Sequence, residues 1–178
     1  MANLRNDAGS RSEQGEATQG TPPELADYPA IAVVPVQWGD QDAFGHVNNA
    51  VALRWFETSR IAFLEHGGLG HLMSGHGLGP VVVSITSNYR RQLVYPDTVR
   101  IGTRVSEMGR TRMTLVHAVY SDHLRAIAVD GQTVVVFVDF STGRPTRLPA
   151  EVRERLGLSG GEPGRERKPD HDRHSRQG

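Results

Sequence analysis

The chain of 178 residues carries 20 Lys and Arg against 20 Asp and Glu, eight His and no Cys. That length suits one domain with extra segments, and the zero net charge gives no general pull toward nucleic acid or an acidic membrane surface. The missing cysteines exclude disulfides, thiolate zinc sites and a cysteine nucleophile.

Residues 1–28 hold two positive and five negative charges, are rich in Gly, Ser, Gln and Glu, and show no periodicity. Such a stretch buries too little apolar surface to offset its ordering entropy, so a disordered tail is expected, and its lack of an apolar core argues against a signal peptide. No run further along approaches the roughly 20 apolar residues of a spanning helix, which points to a soluble protein. Ile31–Trp38 reads as a short strand, with Pro35 tolerable only at an edge or bulge. Asn48 then suits a helix N-cap, the helix runs from Asn49 to His66, and Gly67-Gly68 ends it. At about 100° per residue, Val51, Trp55, Thr58 and Ala62 fall on one side and Leu53, Phe56, Phe63 and Leu64 on the other. Only a narrow strip near Glu57 and Arg60 is polar. A helix of that kind must be wrapped.

His66, His71 and His76 follow in a glycine-rich stretch, expected to be a flexible loop over the entrance to a site rather than a metal centre. Its glycines do not follow a first strand, as phosphate-binding motifs require. Four strands come next: Pro80–Tyr89, Thr98–Glu107, Arg112–Tyr120 and Thr133–Phe140, the last after an Asp130-Gly131 turn signal. Short connections between consecutive strands favour an antiparallel sheet, so the class is α+β. A short helix is expected over Pro149–Leu158, and residues 159–178, with His171 and His174, read as a solvated tail.

The segment that carries chemistry is Trp38–Arg60. Asp40 and Asp42 precede Gly45, His46, Asn48 and Asn49 at the helix start. Unpaired N–H groups there attract negative charge, and a carboxylate beside them can act on a carbonyl group whose oxygen faces those donors. That pairing suits acyl transfer, although Asp-x-Asp before a helix also fits capping and turn chemistry. Asp40 reads as a turn residue, Asn48 as the cap, and Glu57 with Arg60 as an i,i+3 pair. His46 either orients Asp42 or packs in the turn.

Trp38, Asp40, Asp42, Gly45-His46-Val47-Asn48-Asn49, Glu57 and Arg60 together resemble the signature of the hot-dog-fold acyl-CoA thioesterases, in the 4-hydroxybenzoyl-CoA thioesterase-like branch. Asn88–Arg91 with Tyr95-Pro96-Asp97, and Val138-Asp139 with Thr142–Pro145, are similar to its later blocks. The resemblance implies an antiparallel sheet wrapped around one long central helix, over residues 29–158, in a homodimer or homotetramer. It implies hydrolysis of an acyl-CoA to a carboxylic acid and free coenzyme A, in the cytoplasm, with no metal or redox cofactor. The balanced charge without aromatic-basic interleaving and the lack of long apolar runs argue against a nucleic-acid or membrane partner. Asp42 would be nucleophile or general base, with the N–H near Asn49 polarising the thioester carbonyl and His46 beside them. Gly45, Val47, Asn48 and Ala52 would meet the substrate, Ala52 standing where many relatives carry tyrosine. Arg90, Arg91, Arg110 and Arg112 flank strand ends and suit the phosphates of coenzyme A. Glu57 is a second candidate carboxylate, since other hot-dog branches place theirs on this helix. Rival readings keep the fold but make it an acyl-thioester-binding regulator, or a thioesterase for an acyl-carrier-protein substrate.

Overall fold

The computed structural model describes residues 20–156, so residues 1–19 and the tail from 157 on, with His171 and His174, lie outside the described residues. Strand β1 (Ala30–Pro35) leads through a 3₁₀ turn at Trp38–Asp40 to helix α1 (Asn49–His66), then to a short helix α2 (Leu69–Gly75). Four long strands follow: β2 (Leu78–Tyr89), β3 (Thr98–Met108), β4 (Arg112–Ser121) and β5 (Ala126–Asp139). A two-residue β6 (Arg144–Pro145) and helix α3 (Ala150–Arg155) close the described chain. The strands form one antiparallel sheet in the order β1-β3-β4-β5-β2, with β6 paired to the end of β5. Pro35 ends an edge strand, where its missing N–H costs no ladder bond.

Helix α1 has the bounds its sequence signals predict. The Asn48 side chain accepts the Ala50 N–H at 2.9 Å, a cap whose loss costs about 1 kcal/mol. The sheet curls over one side of the helix and buries Val51, Ala52, Trp55, Phe56, Ser59 and Phe63. Around the N-terminal half lie Val36, Leu93, Val99, Ile101, Val119 and Val129, and around the C-terminal half Leu69, Met73, Met113, Leu115, Val135 and Phe137. Leu53 and Ile61, on the far side, are exposed, as are Val82, Val83 and Ile85 of the edge strand β2. One chain therefore leaves part of the apolar helix unwrapped.

A polar layer sits between the two apolar clusters. The Ser59 hydroxyl donates to the carbonyl of Ile101 and touches Thr103 Oγ1, which lies 2.7 Å from His117 Nδ1, while His117 Nε2 lies 2.9 Å from Thr133 Oγ1. All four side chains are buried. Each finds a partner within the layer, as burial requires.

Four expectations are corrected. The glycine-rich stretch after α1 is helix α2, because Leu69 and Met73 are buried one turn apart. It lies at the C-terminal end of α1, with His76 paired to Glu151 of α3 at 2.5 Å, and covers no entrance to the Asp42 loop. Asp130-Gly131 is strand interior: β4 turns into β5 over Asp122–Arg125, and Gly131 stays bare because a Cβ there would meet the Phe56 ring at 2.7 Å. The folded part also begins before residue 29, since Leu25 is fully buried and the Tyr28 ring covers Gly102 so closely that a side chain has no room.

Candidate active site

The loop between β1 and α1 is built by its own side chains. Asp40 accepts the Gln37 N–H through Oδ2 and Arg54 Nη2 through Oδ1, both at 2.9 Å, and its carbonyl accepts the Asn48 N–H at 2.8 Å. Asp40 thus ties the loop to the start of α1, the structural role expected of it. Asp42 turns the chain: its N–H bonds the His46 carbonyl at 2.8 Å and its carbonyl accepts the Gly45 N–H at 3.1 Å. Gly45 takes a φ of 77° in that turn, a conformation open to glycine at little cost. Asp42 Oδ1 accepts the Phe44 N–H at 2.8 Å and a longer bond from the His46 N–H at 3.4 Å. Among the described residues Oδ2 has no hydrogen-bond partner. His46 meets Asp42 through its backbone N–H and carbonyl.

Past the turn, the Val47 N–H bonds the Leu93 carbonyl at 2.8 Å and Gln41 Oε1 accepts the Tyr95 N–H at 3.2 Å, holding the loop against the 90–97 connection. Asn48 satisfies Ala50, and the Asn49 N–H has no acceptor among the described residues. It belongs to the first turn of α1, where the helix carries its positive end.

These pieces enclose a cleft of about 370 Å³. Asp42, Asn49, Arg90 and Arg91 give it polar walls, and the buried side chains of Ala52, Trp55, Leu93 and Val129 give it an apolar floor. The Tyr89 hydroxyl, also on its wall, donates to the Asn49 carbonyl at 2.8 Å. Arg90 Nε donates to Asp130 Oδ2 at 2.6 Å, and Asn88 donates to Oδ1 of the same carboxylate at 2.8 Å. The Arg90–Asp130 hydrogen bond raises Arg90 above its ordinary pKa and holds Asp130 below the usual carboxylate range. Arg91 makes no ion pair among the described residues.

The structure thus brings Asp42, His46, Val47, Asn48, Asn49, Ala52, Arg90 and Arg91 to one cleft, with Gly45 in the turn that shapes it. Arg110 and Arg112 do not line it; they stand at the β3–β4 turn, beside the cluster at the other end of α1. Glu57 lies outside it too, 3.7 Å from Arg60 in the expected i,i+3 pair. Tyr89 and Val129 reach the cleft through strand register, which no local pattern encodes, and Gln92 and Leu93 reach it through the 90–97 connection held against the Asp42 loop. Trp55 is both core and cleft floor.

A free carboxylate oxygen, an unpaired amide and an apolar floor in one cleft suit attack on an activated carbonyl. Comparison with known proteins agrees with that chemistry. Residues 36–156 match the family model of the thioesterase-like superfamily. The chain is 30% identical over 115 residues to the long-chain acyl-CoA thioesterase FadM of Escherichia coli, covering 65% of this chain and 87% of the relative. Among solved structures, it is similar to a thioesterase from Thermus thermophilus complexed with coenzyme A and Zn. That match has a TM-score of 0.65 and 32% identity, over 78% of this chain and all of the other. The DHNA-CoA thioesterase of Staphylococcus aureus, at 21% identity, shares the fold with a TM-score of 0.66 over 72% of this chain and 88% of its own.

Proposed function

Because the chain belongs to the thioesterase-like superfamily and has the hot-dog fold, we propose that it hydrolyses an acyl-CoA thioester to a carboxylic acid and free coenzyme A. The observation that carries this reading is the joint presence of Asp42 and the acceptor-free Asn49 N–H on the wall of one cleft. The Asn49 N–H donates to the thioester oxygen and stabilises the charge that grows there. Asp42 acts through Oδ2, since the loop already occupies Oδ1. As general base it takes a proton from water, the hydroxide adds to the carbonyl carbon, and the C–S bond breaks to release the thiolate, which then takes up that proton. As nucleophile it displaces the thiolate and forms an anhydride that water cleaves. A positioned base contributes about 10²–10⁴ in rate and one oxyanion donor about 10²–10³.

The acyl group rests on Ala52, Trp55, Leu93 and Val129, and Arg91, free of ion pairs, takes the phosphates of coenzyme A better than Arg90, which Asp130 holds. The reaction needs no metal or redox cofactor. No helix among the described residues is long and apolar enough to cross a membrane, and the reading places the enzyme in the cytoplasm.

A second copy of the chain completes the fold in this reading. The edge strand β2 carries exposed Val82, Val83 and Ile85, α1 carries exposed Leu53 and Ile61, and Arg60 Nη1 and Ser87 Oγ are buried without a partner among the described residues. Such an edge invites pairing. Pairing there gives a homodimer, and dimers can pair again into a tetramer.

The test is release of free thiol from a panel of short, long, aromatic and carrier-bound acyl thioesters. Turnover of acyl-CoA supports the proposal; saturable binding without thiol release turns the protein into a binding module, and turnover of the carrier-bound thioester alone moves the substrate to acyl carrier protein.

A further inference from the structure

We propose that Tyr89 is a positioning residue of the cleft, locking the first turn of α1 so that the Asn49 N–H keeps its place on the wall. The proposal rests on the thioesterase reading above and deepens it. Three observations combine. The Tyr89 hydroxyl donates to the Asn49 carbonyl at 2.8 Å. The Ala50 N–H, at the other end of that same peptide unit, is held by Asn48 Oδ1 at 2.9 Å. Tyr89 itself is the last residue of β2, paired with Val129 of β5, so the clamp comes from the sheet and not from the helix it restrains.

The peptide unit after Asn49 is therefore pinned through both its hydrogen and its oxygen, immediately beyond the amide that has no acceptor. Helix ends fray because their first N–H groups lack partners. A useful oxyanion donor, by contrast, must stand within about 2.7–3.1 Å of the developing charge, and an error near 1 Å costs about 10²-fold in rate. The side chain is half exposed, so water can satisfy the hydroxyl as well as the carbonyl does. What the bond adds is direction. Its loss moves rate rather than binding, because the ring, the apolar floor and Arg91 all remain.

The experiment compares wild type with Tyr89→Phe, which keeps the ring and removes the bond. It uses steady-state kinetics with the best acyl-CoA and amide hydrogen exchange at Ala50. The expected result is a kcat about tenfold lower with KM within about twofold, a Tm nearly unchanged, and faster exchange at Ala50. A kcat within about twofold of wild type, or a loss that falls on KM alone, overturns the role of Tyr89 while leaving the thioesterase reading intact. A wild-type protein without turnover on any acyl thioester overturns the reading itself and this proposal with it.

Discussion

His117 and Phe56 stack face to face, with ring centroids 4.6 Å apart and planes 14° from parallel. The imidazole lies between the hydroxyls of Thr103 and Thr133 and is almost wholly buried. Burial, with the nearby Arg60 guanidinium second, pushes its pKa down from 6.5 to about 3. The folded protein thus holds this ring neutral where the unfolded chain protonates it. Stability from this group is complete above about pH 6.5 and falls as pH drops toward 3, by about 1.4 kcal/mol per unit. Urea unfolding at about pH 7 and about pH 5 should differ by about 2 kcal/mol on this account. His117→Gln should remove that difference; an unchanged pH dependence in the variant contradicts it.

Gly131 faces the same stack. A methyl group there meets the Phe56 ring at 2.7 Å and the Thr86 carbonyl closer still. Helix and strand cannot both keep their places, so Gly131→Ala should cost about 1–3 kcal/mol, read as a lower urea midpoint. A variant as stable as wild type contradicts this packing.

Arg91 should separate binding from chemistry. Arg91→Ala should raise KM for acyl-CoA about tenfold at nearly constant kcat, the worth of one charge-assisted contact. With an acyl-pantetheine, which lacks the nucleotide phosphates, wild type and variant should match. Equal losses on both substrates contradict phosphate binding.

The sequence already exposes helix α1 to the residue, because its ends are local events: an asparagine side chain that reaches Ala50 and glycines that stop the last turn. The Asp42 loop is local too, and every bond that shapes its turn spans four residues or fewer. What stays hidden depends on distant partners. Gly131 reads as a turn until Phe56 is seen packed on it, 75 positions earlier in the chain. The α2 glycines read as loop, yet two buried side chains, Leu69 and Met73, outweigh them and make the segment helix. Tyr89 joins the cleft through β-sheet register, and Arg110 leaves it because the long β3 carries its turn to the far end of α1. Residues 22–28 look like tail by composition, yet one leucine and one tyrosine find cover on the sheet.

Hydrolysis by Asp42→Asn tests the central claim most directly. The substitution keeps the side-chain oxygen that accepts the Phe44 N–H, so the turn and the fold should survive while the basic carboxylate is lost. Thiol release from the best acyl-CoA should drop by about 10²–10⁴ with substrate analogue still bound and the unfolding midpoint held. Hydrolysis within about tenfold of wild type would place the chemistry on another group and contradict the account.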